Sequence, residues 1–93
     1  MSENQIFRAS HILVDTQKQA QTIKEKLAEG QDFASLARTN SLCPSKANGG
    51  DLGQFGPGRM VKSFEDAVFK MKVGEISDPI SSAFGWHIVF RTE

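Results

Sequence analysis

The chain has 93 residues, 39% hydrophobic and 24% charged, enough for one modest core and a single domain over residues 1–93. Eleven Lys and Arg balance eleven Asp and Glu, so the formal charge is zero and the basic excess of a nucleic-acid binder is missing. No apolar run approaches the ~20 residues of a membrane span, the opening MSENQIFRAS is too polar for a signal peptide, and the lone Cys43 cannot form an internal disulfide, so a cytoplasmic monomer without nucleic-acid or membrane partners is expected.

Residues 6–14, IFRASHILV, are rich in β-formers and end at the turn-forming Asp15, which predicts a strand. Thr16 and Gln19 then form the pattern of a capping box, and Ala20, Ile23, Leu27 and Ala28 follow at helical spacing up to a stop at Gly30. Asp32 is placed to cap a second helix with Phe33, Leu36 and Ala37 turned inward. Residues 40–50 read as a polar loop with room for one helical turn, and 51–55 as a short strand. A third helix starts at S-x-x-D, residues 63–66, carries Phe64, Ala67, Val68 and Met71 on one stripe, and ends at Gly74. EISDPI suggests a short strand broken by a turn at Asp78-Pro79. FGWHIVFR alternates as a strand, with Phe84, Trp86, Ile88 and Phe90 on one face and His87 on the other. The order β-α-α-(α)-β-α-β-β, with a closely connected final pair, indicates an α+β domain with a mostly antiparallel sheet.

Both histidines interrupt the two most apolar strands. His11 shares a face with Phe7, Ala9 and Leu13, and His87 shares one with Val89. First and last strands of a small sheet often become neighbours, which would bring two imidazoles together on one face. A half-buried imidazole needs a hydrogen-bond partner, and another imidazole or a thiol can serve. Each histidine is alternatively a satisfied core residue. The spacing of His11, Cys43 and His87 contains no local metal-ligand pair, so no metal is expected. A Cys-His hydrolase needs an oriented base and an oxyanion hole. No cysteine-protease signature surrounds Cys43, and the Cys43-Pro44 step favours extended backbone there.

Leu52, Met60 and Phe64 lie along a glycine-rich path, Gly49, Gly50, Gly53, Gly56 and Gly58. They are either ordinary core or the lining of a small apolar cup, in which glycine lets a ligand approach, Met adapts and Phe offers a flat face.

ASHILV, CPSKANGGDLGQFGPGRMVKSFEDAVF, VGEISDPI and FGWHIVF together resemble the parvulin-type peptidyl-prolyl cis/trans isomerases, from about Phe7 to Thr92. The resemblance implies the parvulin fold, a four-stranded antiparallel sheet surrounded by helices. It also implies an isomerase that acts on X-Pro bonds in proline-containing segments of client proteins and needs no cofactor. His11 and His87 match the paired histidines behind the family's catalytic surface, and Cys43 matches a position held by Cys or Asp. Ser82 stands where a Thr hydroxyl is frequent. Met60 and Phe64 match the proline-pocket residues, with Leu52 at the edge and Phe84 beside it. Trp86 replaces a more usual Tyr, Phe or Ile. The basic loop that phospho-specific relatives carry after the first strand is absent, since LVDTQKQAQT holds only Lys18, so phosphoserine-proline recognition is not expected. The competing functions are a peptide-binding or chaperone-like module with little isomerase activity, and the Cys-His hydrolase.

Overall fold

The computed structural model describes residues 6–56, 58 and 62–93. Eight segments of regular structure follow one another. Strand β1 spans Phe7–Val14, helix α1 Gln17–Ala28 and helix α2 Phe33–Asn40; a 3-10 helix covers Pro44–Asn48. Strand β2 spans Asp51–Phe55, helix α3 Lys62–Lys70, strand β3 Ile80–Ser82 and strand β4 Gly85–Arg91. The sheet order is β2-β1-β4-β3, and every pairing is antiparallel. The first and last strands therefore sit side by side in the middle, as first and last strands of a small sheet often do. Among the described residues no helix is long and apolar enough to cross a membrane.

Local sequence explains the helix boundaries. The Thr16 hydroxyl accepts the Gln19 N–H at 3.1 Å, and the Gln19 side-chain oxygen accepts the Thr16 N–H at 3.0 Å. Asp32 accepts the Ser35 N–H at 3.0 Å and opens α2. Helix α3 spans Lys62–Lys70, so Ser63 lies inside it and not at its cap. Its end is closed from the sheet by Arg91. One guanidinium nitrogen donates to the Met71 carbonyl at 2.6 Å and to the Val68 carbonyl at 3.3 Å, and the group lies 4.6 Å from the Phe7 ring centroid.

The sheet separates two apolar clusters. Ile12, Val14 and Ile88 pack with α1 and α2 through Ala20, Ile23, Phe33, Leu36 and Ala37. Phe7, Ala9 and Val89 pack with Phe55 and, from α3, Phe64 and Val68. The alternation of β1 sends Arg8, Ser10 and Ile12 to one side and Phe7, Ala9 and His11 to the other. Both histidines thus face α3. In EISDPI, Ile76 makes only an isolated bridge to Phe90, and β3 forms after Pro79. Phe84 falls in the turn between β3 and β4 and is 68% exposed, off the strand face expected from simple alternation. The reversal uses Gly85 at φ +139°, where a Cβ would meet the Val14 carbonyl oxygen at 2.5 Å.

Candidate active site

His11 pairs across the sheet with Val89, and Leu13 with His87, so the two imidazoles stand diagonally on one face of adjacent strands. Their Nδ1 atoms are 3.0 Å apart, and the ring planes are within 18° of parallel. His87 Nε2 lies 2.6 Å from Ser82 Oγ, which also accepts the Phe84 N–H at 3.1 Å. The result is a chain from Ser82 through His87 to His11. His11 Nε2 is buried and has no hydrogen-bond partner among the described residues.

Burial, reinforced by the neighbouring imidazole, pushes the His11 pKa down to about 4, and burial lowers that of His87 as well. Both rings are therefore neutral at pH 7, and a single proton lies between the two Nδ1 atoms. If it belongs to His87, His11 carries an N–H at its unpartnered Nε2. If it belongs to His11, that position is a bare lone pair, the lesser defect by analogy with backbone groups. The second arrangement has His11 Nδ1–H donating to His87 and His87 Nε2–H donating to Ser82 Oγ. With the Phe84 N–H filling its other lone pair, the Ser82 hydroxyl keeps its own proton free to donate outward.

Phe64 seals the pair from the α3 side. Its ring meets His11 edge-on at 5.8 Å and His87 at 5.5 Å between centroids, and the residue is only 3% exposed. The stripe placed Phe64 on an inward helix face, and the structure finds it in the core, packed on both imidazoles. Leu52 is half-buried at the edge of the same cluster. The exposed Phe84 follows Ser82 by two residues at the rim. Met60 lies outside the described residues.

Cys43 is half-buried with φ −83° and ψ 142°, the extended backbone expected before Pro44. Its loop is fastened to β1 on two sides. Ser41 Oγ accepts both the Leu13 N–H at 3.1 Å and the Cys43 N–H at 3.3 Å, and the Leu42 N–H donates to the Leu13 carbonyl at 2.8 Å. Further along, the His11 N–H donates to the Gly50 carbonyl at 2.9 Å. Gly50 has φ +88°, and a Cβ there would fall 2.5 Å from the His11 carbonyl oxygen. The glycine is what lets the Cys43 loop close onto the strand carrying His11. No hydrogen bond joins the thiol to either imidazole among the described residues.

Two open grooves lie elsewhere. One is lined by Arg8, Ser10, Asp32, Phe33, Asp51 and Glu93, the other by residues of α1 with Val14 and Asn40; both face away from the histidines. Among the described residues no three His, Cys, Asp or Glu side chains gather as a metal ion requires. Ser41 and Glu65 were not singled out by sequence. A serine after a helix and a glutamate in a helix ordinarily read as surface residues. The S-x-x-D pattern at 63–66 drew attention to its last residue instead.

Residues 9–93 match the family described as "Rotamase: PPIC-type PPIASE domain". The chain belongs to the parvulin-type peptidyl-prolyl isomerases. This parvulin domain is 58% identical over 88 residues to the foldase protein PrsA of Geobacillus sp. strain WCH70, covering 94% of this chain and 32% of the relative. A crystal structure of the peptidylprolyl isomerase PrsA from Bacillus cereus superposes with a TM-score of 0.94 at 50% identity, over 99% of this chain and 36% of that one. The solution structure of NmPin, the parvulin of Nitrosopumilus maritimus, gives a TM-score of 0.85 at 48% identity and is matched over 96% of its length, with 95% of this chain covered. The parvulin domain thus spans about a third of the curated PrsA relatives, and nearly all of NmPin.

Proposed function

We propose that this parvulin domain accelerates cis/trans isomerisation of X-Pro bonds in flexible segments of client proteins, without covalent attachment to Cys43 and without recognising phosphate. The observation that carries the reading is the neutral Ser82–His87–His11 chain covered on its α3 side by Phe64.

The uncatalysed reaction is slow because amide resonance must be broken, at a barrier of about 18–20 kcal/mol. No bond is made or cleaved. A catalyst has to hold the proline ring and favour the twisted amide over both planar forms. Met60, Phe64 and Leu52 grip the ring, with Phe84 at the rim. The amide lies against Cys43, Ser82 and the histidine pair. The twisted amide has less charge separation than the planar one, so a dewatered surface favours it. The outward hydroxyl proton of Ser82 adds to this when it meets the prolyl nitrogen, whose lone pair the twist releases. Directed at the carbonyl oxygen, the same proton would stabilise the planar form. The histidine pair fixes that direction.

Only Asp15 and Thr16 separate β1 from α1, which leaves no loop for a cluster of phosphate-binding side chains. Exchange NMR on a series of X-Pro peptides tests the reading. Catalysis is expected in the presence of chelator, with Leu or Ala before proline turned over at least as well as phosphoserine. A phosphoserine peptide processed about tenfold faster, a preference of about 1.4 kcal/mol at the transition state, would overturn the substrate assignment. A folded chain that binds these peptides without accelerating exchange would establish the peptide-binding module instead.

Substitution of Cys43 separates the two mechanisms. If the thiol only sets polarity beside the twisting amide, Cys43→Asp keeps substantial activity and Cys43→Ala loses more. A nucleophilic thiol predicts that Cys43→Asp and Cys43→Ser are both dead, with a trappable tetrahedral adduct between the Cys43 sulfur and the carbonyl carbon before proline in the wild type.

A further inference from the structure

Strand β2 begins at Asp51, opposite Ser10, and beyond that point β1 pairs with no strand on that side among the described residues. The loop of residues 41–50 takes the place of a strand there, and the Ser41 hydroxyl supplies the acceptor for the Leu13 N–H. Leu13 stands directly across from His87. Val89, the residue across from His11, is served in the same way: its N–H donates to the hydroxyl of the buried Ser77 at 3.0 Å. Ser41 Oγ does one thing more. It accepts a second N–H, that of Cys43, and so fills both of its lone pairs. Ser41 is only 3% exposed, and a donor stripped of its acceptor there is costly. The Cys43 carbonyl is taken as well, by the Lys46 N–H at 3.0 Å. Both backbone groups of Cys43 are thus fixed, and the N–H is fixed to an oxygen that also holds the strand residue facing His87.

We infer that Ser41 is a positioning residue for the isomerase reaction: its hydroxyl sets the Cys43 backbone at a fixed distance from the histidine-bearing strands and so holds the thiol side chain where the twisting amide meets it. The inference rests on the reading above that Cys43 borders that amide. The link is short, running from the Cys43 N–H to Ser41 Oγ, from there to the Leu13 N–H, and then across one strand pair to His87. The bonds from the Leu42 N–H to the Leu13 carbonyl and from the His11 N–H to the Gly50 carbonyl involve backbone alone. Loss of the Ser41 hydroxyl therefore leaves the loop on the strand and frees Cys43 within it. Phe64 and Leu52, which grip the proline ring, belong to α3 and β2, so binding is spared and turnover falls.

The test compares Ser41→Ala, Cys43→Ala and the double variant with wild type by NMR line-shape analysis over a range of Leu-Pro peptide concentrations, which gives kcat and KM separately. Ser41→Ala is expected to lower kcat about fivefold with KM within about twofold of wild type. In the Cys43→Ala background the same substitution should change kcat by less than about 1.5-fold, because the residue it positions is gone. Cys43 is the only cysteine of the chain, so its rate of labelling by iodoacetamide reads its placement without reference to activity. Ser41→Ala should label about threefold faster than wild type or more, and Ser77→Ala, which removes the matching hydroxyl from the other central strand, at the wild-type rate. If Ser41→Ala does not fold, hydrogen exchange in the wild type decides: the Cys43 amide proton should exchange far more slowly than a solvent-facing loop amide, and fast exchange overturns the assignment. So does an equal fall in kcat with and without Cys43, unchanged labelling of a folded Ser41→Ala chain, or labelling that rises as much in Ser77→Ala. Absence of isomerase activity in the wild type would instead overturn the functional reading beneath, while labelling and exchange still test the hold of Ser41 on Cys43.

Discussion

Phe64→Ala is expected to lose about 3–5 kcal/mol of stability together with most of the isomerase activity. Phe64 is nearly fully buried and touches three rings at once, those of His11, His87 and Phe55. Removing it opens a cavity against the histidine pair, and water entering there raises the local polarity. The rings then lose the edge-on contacts that hold the hydrogen-bonded chain to Ser82. Because the total stability of a small domain is about 5–15 kcal/mol, the alanine variant sits close to unfolding at 37 °C, and its inactivity alone would prove little. Phe64→Leu resolves this. It retains most of the volume, so it should fold with a loss of about 1–2 kcal/mol in urea denaturation. It still removes the flat face, so kcat/KM should fall about tenfold or more. A Phe64→Leu chain with wild-type kcat/KM would show that Phe64 serves the core alone.

Phe64 also shows how far the sequence can be read. Its position on the stripe of α3 marked it as inward-facing, and the same logic of alternation put His11 and His87 on one face of neighbouring strands. Side-chain period was enough for both. What period cannot supply is depth. Whether Phe64 offers its face to a ligand or to two imidazoles depends on where α3 docks, and that is set by contacts distant in sequence, such as Arg91 with the end of the helix. Phe84 was placed by alternation on the Trp86 face, but the tight reversal at Gly85 takes it out of the strand. Glu65 escaped notice for the opposite reason. One partner is a backbone N–H seven residues earlier, and a donor that every residue but proline possesses leaves no mark in a sequence. The hydrogen bonds of Ser41 to Leu13 and Cys43 are hidden in the same way. The family motif string singled out Ser82, His87 and His11 among its site residues, and the structure joins these three in one hydrogen-bonded chain.

Acidification should destabilise the domain well above the pH at which its carboxylates protonate. The folded state holds His11 at a pKa of about 4, whereas an unfolded histidine titrates near its ordinary value of about 6.5. Between those two values the unfolded chain binds more protons than the folded one, so stability rises with pH across that window. The contribution is fully present above about pH 6.5, declines as pH falls, and is exhausted below about pH 4. From His11 alone the loss amounts to about 2 kcal/mol by pH 5 and about 3 kcal/mol by pH 4, and the lowered pKa of His87 acts in the same direction. The ion-paired carboxylates Asp51 and Asp78 also have lowered pKa values, from Arg8 and Lys24 respectively, and their stabilisation disappears only below the range where the histidines act. Urea denaturation at pH 7 and pH 5 therefore isolates the imidazoles, and the melting temperature should fall by about 10 °C over the same interval. A His11→Asn, His87→Asn double variant, less stable at pH 7, should show little further change at pH 5. A wild-type free energy of unfolding that is flat between pH 7 and pH 5 would mean that the imidazoles take up protons in the folded state as readily as in the unfolded chain. The burial-enforced neutrality on which the hydroxyl donor of Ser82 depends would then have to be abandoned.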